Sequence, residues 1–183
     1  MRECPAAGRS IEAFECAAGR HTIYACPESC PFNVFATASY HKFRDIEHSA
    51  DEKYFAWVVE HVADKAQFEA DMRRLVGDRP SSAYFHRLAW HGVYRVGPGG
   101  DTCLGEWAKV GFPGLSADER VLMRSRMRMQ PAILEVHRIM DEHRVEVVDL
   151  LDPERAPFVI VDGGLARQVV RFEVFAGHIV PLP

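Results

Sequence analysis

The chain holds 183 residues, 48% of them hydrophobic and 26% charged, with a formal net charge of -4. That size can bury a real core, as one domain or as a small module fused to one, and the acidic balance excludes a surface broadly coated for nucleic acid. No apolar run reaches the roughly 18 residues of a membrane span, and the start Met1-Arg2-Glu3-Cys4-Pro5 lacks the apolar stretch of a signal peptide. A cytoplasmic protein with no membrane segment is therefore expected.

Four of the five cysteines, Cys4, Cys16, Cys26 and Cys30, crowd into the N-terminal segment with His21 among them, while Cys103 stands alone. In a reducing compartment, clustered cysteines point to metal before disulfides. Zinc takes four soft or borderline ligands, usually from two short ligand-bearing turns. Cys26 and Cys30 suit one such turn, stiffened by Pro27 and Pro31. Cys4, followed by Pro5 and Gly8, suits another. Ile11, Ala13 and Phe14 alternate with Ser10, Glu12 and Glu15, and Thr22 to Ala25 read as a second short strand. Two short strands with cysteines at their ends describe a small ribbon. The expected zinc ligands are Cys4, Cys16, Cys26 and Cys30, with His21 as the substitute. A metal-free site and disulfides are the alternatives. A catalytic thiol is not expected, because cysteine clusters without an open ligand position are generally structural.

After Pro31 the periodicity becomes helical. Tyr40, Phe43 and Ile46 predict one helix, capped by Thr37 or Ser39. Asp51 is read as the cap of a second, with Tyr54, Phe55, Val58, Val59 and Val62 on its apolar side. Asp64 opens a third through Phe68, Met72, Leu75 and Val76, closed by Gly77. Pro80-Ser81-Ser82 starts a fourth, with Tyr84, Phe85, Leu88 and Trp90. His41, Asp45 and His48 share one helix face, where metal binding or acid/base chemistry competes with a solvated face. His86 and His91 stack less cleanly.

Residues Val96 to Leu115 are expected to be irregular, with turns at Gly97-Pro98-Gly99-Gly100 and Gly111-Phe112-Pro113-Gly114, Cys103 as a lone structural thiol and Trp107 as an anchor. Gly97, Gly99 and Gly100 make no phosphate loop, since no Gly-Lys-Ser/Thr follows. Ser116-Ala117-Asp118-Glu119 is a capping box that opens a further helix. Arg124, Arg126 and Arg128 then alternate with Ser125, Met127 and Met129. On an extended chain the three guanidinium groups share a face that could meet phosphate or an acidic partner, whereas on a helix they spread around the axis. A solvated basic rim is the alternative.

From Ala132 the period becomes two. Leu134 and Val136, then Val145, Val147 and Val148, then Phe158 to Val161, then Val170, Phe172 and Val174, then His178 to Val180 predict about five strands. Turns fall at Asp141-Glu142-His143, Asp152-Pro153-Glu154, Asp162-Gly163-Gly164 and Ala176-Gly177.

The expected fold is α+β: a zinc-ribbon-like module over residues 1–33, a helical region over 34–130, and an antiparallel β-meander or small barrel over 131–183. Cys4-Pro5, Glu15-Cys16, Arg20-His21, the run from Ala25-Cys26-Pro27 through Cys30 to Asn33, Leu134 to Val136 and Val148 to Leu151 together resemble uncharacterised bacterial zinc-ribbon-like proteins, some associated with a SEC-C motif. The SEC-C motif itself is absent, and Ala7 stands where a ribbon's first turn usually has its second cysteine. The resemblance implies zinc binding and no particular reaction. A zinc-stabilised binding or adaptor module for protein or nucleic acid is the expected function. The alternatives are a metal- or His/carboxylate-dependent hydrolase with a cleft between helices and meander, and a purely structural or assembly protein. No nucleophile elbow, phosphate loop or catalytic metal motif is present.

Overall fold

The computed structural model describes residues 1–62, 64–75 and 82–183. The chain is α+β and divides into two compact units, Met1–Arg128 with Pro181–Pro183, and Met129–Val180.

The first unit opens with a hairpin of β1 (Arg2–Cys4) and β2 (Arg9–Ile11), antiparallel, with Cys4 opposite Arg9. The turn closes through the Gly8 amide donating to the Cys4 carbonyl, and Gly8 takes φ 63°, which a side chain would resist. The alternation that predicted a strand up to Cys16 gives way to α1 (Ala13–Gly19). Ala13, Ala17 and Ala18 are strong helix formers, and five alternating residues are too few to override them. Nor do Thr22 to Ala25 form a strand. The Gly19 carbonyl accepts from the amides of Thr22, Ile23 and Tyr24, which folds the chain into a tight turn with His21 at φ 52°. The β pairing described for Tyr24 is an isolated bridge to Arg20. The second strand of a ribbon is thus absent at the expected place.

A single 3₁₀ turn, Thr37–Ser39, leads into α2 (Tyr40–His61). Two helices were expected here. They are one because Asp51, which reads as a cap, instead forms an ion pair with Arg126. Tyr40, Phe43, Ala50, Tyr54 and Val58 are the buried residues of α2. α3 (Lys65–Leu75) and α4 (Ser82–Ala89) follow, and α4 runs on into a π turn, Trp90–Tyr94. The expected end at Val76-Gly77 and start at Pro80-Ser81 lie outside the described residues, as do the side chains of Leu75, Tyr84 and Phe85. The stretch expected to be irregular contains α5 (Cys103–Lys109), N-capped by the Thr102 hydroxyl accepting from the Gly105 amide. Cys103 is therefore the first residue of a helix rather than part of a loop. Trp107 is buried and stacks on Trp57 at 5.2 Å, so its anchoring role holds. α6 (Ala117–Arg126) carries the predicted capping box, with both reciprocal hydrogen bonds of Ser116 and Glu119 formed.

The second unit is a four-stranded antiparallel sheet of β3 (Gln130–Ile139), β4 (Arg144–Asp149), β5 (Phe158–Val161) and β6 (Val174–Ile179), in the order β5-β4-β3-β6. Asp162 caps the short helix α7 (Gly163–Ala166), where the sequence suggested only a turn. β6 runs straight through Ala176-Gly177, so two expected strands become one. Ala132, Leu134, Val136, Val145 and Val147 pack with Ala166 and Val169 into one apolar cluster. Among the described residues no helix is long and apolar enough to cross a membrane.

Candidate metal centre

All four N-terminal cysteines are free thiols, and Cys4, Cys16 and Cys30 are buried while Cys26 is half-buried. They come from three local elements. Cys4 ends β1 and Cys16 lies in the middle of α1. Cys26 and Cys30 flank the turn in which the Cys30 amide donates to the Pro27 carbonyl. Cys4, Ile11 and Cys16 pack together, joined by Ala7, Tyr24 and Phe32. Burial pushes the Cys26 thiol above its ordinary value. The proximity of Cys30 and Cys16 adds to that, and the His21 backbone and the Arg20 charge pull the other way.

Arg20 is almost wholly buried, at 4% exposure. Its Nη1 donates to both oxygens of Asp118 at 2.5 Å, and its Nη2 lies 4.0 Å from the Cys16 sulfur. Burial works against the charge, and the Asp118 carboxylate more than offsets it, so the guanidinium stays firmly protonated. Its Nε is buried with no hydrogen-bond partner among the described residues. A buried donor without an acceptor carries a standing cost.

Asn33 ties the segment together, which sequence reasoning did not anticipate. Its Oδ1 accepts from the Phe35 amide at 3.0 Å and bonds His21 Nε2 at 2.9 Å. Its Nδ2 donates to the carbonyls of Cys26 and Pro27. The His21 ring also meets Phe35 edge-on. His21 thus has Nε2 committed to Asn33. Among the described residues no three His, Cys, Asp or Glu side chains converge as a ready-made ligand set.

No family model, curated protein or solved structure matches this chain. The site's chemistry has to be read from its own residues.

The remaining candidates are dispersed. Arg124 and Arg126 lie on α6 and Arg128 just beyond it. Arg126 is spent on Asp51 and lies over the Tyr54 ring, and Arg128 donates to the Ser125 hydroxyl. His41, Asp45 and His48 are exposed on α2, where His48 pairs with Glu52 at 3.5 Å. His91 is different. It is buried, bonds Asp71 at 3.0 Å, and lines a cavity of about 210 Å³ together with Glu106. Neither the 20-residue separation of Asp71 and His91 nor their placement on separate helical segments leaves a motif to find.

Proposed function

We propose that this chain is a zinc-stabilised binding module, with Cys4, Cys16, Cys26 and Cys30 as thiolate ligands of one zinc ion and His21 as the substitute ligand. The observation that carries this reading is Arg20, a buried cation against Cys16 whose Nε has no acceptor among the described residues. Thiolate sulfur bound to zinc accepts hydrogen bonds from neighbouring donors, and the positive guanidinium offsets the excess negative charge of several thiolates. The apolar cluster of the hairpin and α1 is small: Cys4, Ile11 and Cys16 are buried, with Ala7, Tyr24 and Phe32 packed against them. A metal cross-link supplies what such a core lacks, on the order of 10 kcal/mol or more for structural zinc.

A protein partner suits this module better than nucleic acid. The net charge is -4, the Arg126 charge is taken up by Asp51, and the N-terminal segment exposes Phe14 and Ile23 at 77% and 78%. Apolar side chains that stand clear of their own fold are suited to packing against another protein.

The test is elemental analysis of the purified chain. One zinc per chain is expected, and Cys26→Ser should release it and loosen the segment before Phe32. Metal-free protein with an ordered N-terminal segment would overturn the zinc reading. Steeply salt-dependent RNA or DNA affinity, flattened by charge reversal at Arg124, Arg126 and Arg128, would move the partner to nucleic acid.

A further inference from the structure

The sheet of the second unit has an open face as well as a covered one, and it stands apart from the cysteines. Side chains alternate across a sheet. Leu134, Val136, Val145 and Val147 point into the cluster with Ala166 and Val169, so their chain neighbours point to the other side. There Ile133 stands opposite Ala176 of β6, and Glu135 stands between Val148 and Val174. The Leu150 amide donates to the Ile133 carbonyl at 2.7 Å, which continues the register of β4 and sets Leu150 beside Ile133. Ile133, Val174 and Leu150 are exposed, and so is Leu151. A one-sided antiparallel sheet ordinarily turns polar side chains to water, whereas this one turns out an apolar stripe across β4, β3 and β6.

Charge says what suits this stripe. From Met129 to Val180 the chain has nine carboxylate side chains, five arginines and no lysine, so the whole formal charge of -4 belongs to the second unit. The arginines are engaged or elsewhere. Arg138 holds Glu146 at 3.2 Å and Arg144 holds Asp141 at 2.6 Å. Arg155 lies over the Phe158 ring and Arg171 over the Phe172 ring. Arg167 follows α7, which packs on the opposite face. Asp152 and Glu154 come directly after Leu150-Leu151, are exposed, and have no ion-pair partner among the described residues. The Asp152 amide donates to the Asp149 carbonyl and the Arg155 amide to the Asp152 carbonyl, two turns that keep this loop at the end of β4.

Size says the rest. Four strands about 4.8 Å apart, over five residues at about 3.4 Å each, present roughly 300 Å². A stable protein–protein interface needs about 800 Å² per partner, so the face is too small to hold a second copy by itself. It is wide enough for one helix, about 10 Å across.

We propose that this face binds a basic amphipathic helix of a partner protein, its apolar side on Ile133, Leu150 and Val174 and its cationic side chains beside Asp152 and Glu154. An acidic helix of the same shape would meet uncompensated carboxylates.

The test follows backbone amides of ¹⁵N-labelled full-length protein by NMR. The probe is a 14-residue peptide of leucine and lysine with its leucines at helical spacing, and its match carries glutamate in place of lysine. Saturable shifts at Ile133, Leu150 and Val174 are expected with the lysine peptide and none with the glutamate peptide. Asp152→Asn combined with Glu154→Gln should weaken the lysine peptide about fivefold at low salt, an effect that salt screens. Leu150→Ser combined with Leu151→Ser should weaken it about tenfold. Amide protection in β3 and β4 checks that each variant is folded. Shifts confined to other residues, an equal response to the glutamate peptide, or unchanged affinity in the Asp152→Asn, Glu154→Gln variant would each overturn the proposal. The same amides shifting with protein concentration alone would give the face to a second copy and overturn it too.

Discussion

The two units hold themselves together by different means. In the second, Leu134, Val136, Val145 and Val147 of β3 and β4 form an apolar sheet face covered by Ala166 and Val169, and its one buried charged side chain among the described residues is Asp149, which accepts from the Leu151 amide at a turn. In the first, Arg20, Asn33, Asp71, His91, Glu119 and Ser125 are buried, and the charged ones join segments far apart in sequence. Arg20 links the turn after α1 to Asp118, and Glu119 receives Ser49 and Lys53 of α2. Apolar packing is indifferent to pH and to metal, whereas buried polar ties are neither. The difference therefore predicts which unit fails first under which stress.

The largest effect belongs to the apolar unit. Leu134 is 2% exposed at the centre of the β3 face. Leu134→Ala should cost about 2–5 kcal/mol by removing transfer energy and leaving a cavity. Trp57, Trp90 and Trp107 all lie in the first unit, so tryptophan fluorescence reports that unit alone, while amide exchange in β3 and β4 reports the second. The loss should appear in the exchange of β3 and β4. An equal shift in the fluorescence midpoint would show that the units unfold as one and would break the comparison.

Acid should act on the other side. Hydrogen bonds from Lys53, Ser49 and the Ser116 amide outweigh burial and bring the Glu119 carboxyl down to about 2, from 4.5. Because the folded value is depressed, the stabilisation is fully present above about pH 4.5 and is lost as pH falls towards 2. A gap of that size is worth about 3 kcal/mol. Fluorescence should therefore show the first unit loosening between pH 4.5 and 2 while β3 and β4 amides remain protected. Glu119→Gln should flatten that slope and lower stability at pH 7.

The same contrast explains what could be read from sequence. The β3 and β4 faces were legible because period-two alternation is a local signal, and so was the Ser116–Glu119 box, whose partners are three residues apart. The four cysteines stand out in the sequence, but the elements that carry them were not legible, and among the described residues no three ligand-type side chains converge. Cys16 lies in a helix because alanine propensity outweighed a short alternation, and α5 was hidden because it is short, Cys103–Lys109, and sits between the turns at Gly97-Pro98-Gly99-Gly100 and Gly111-Phe112-Pro113-Gly114. Asp51 looked like a helix cap, since its Arg126 partner is distant in sequence. The Asp71–His91 pair and the Asn33 hub gave no signal at all, because long-range polar ties have no period.

The smallest effect tests the polar region at its most local point. Asn33 is 3% exposed, and its amide serves four partners: His21, the Phe35 amide, and the carbonyls of Cys26 and Pro27. Asn33→Ala leaves these groups without their partner and should cost about 1–3 kcal/mol, confined to the N-terminal segment. Asn33→Asp divides the effect. A carboxylate keeps the acceptor for Phe35 and His21 but loses the donor to Cys26 and Pro27. Amide exchange at Phe35 should then stay slow in Asn33→Asp and speed up in Asn33→Ala. Reactivity of Cys26 and Cys30 towards a thiol reagent should rise in both variants, since the turn between them loses its anchor either way. Protection of β3 and β4 should not change. If Phe35 exchanges alike in both variants, the acceptor half of Asn33 is not what holds the chain there, and the segment rests on its cysteines and apolar contacts instead.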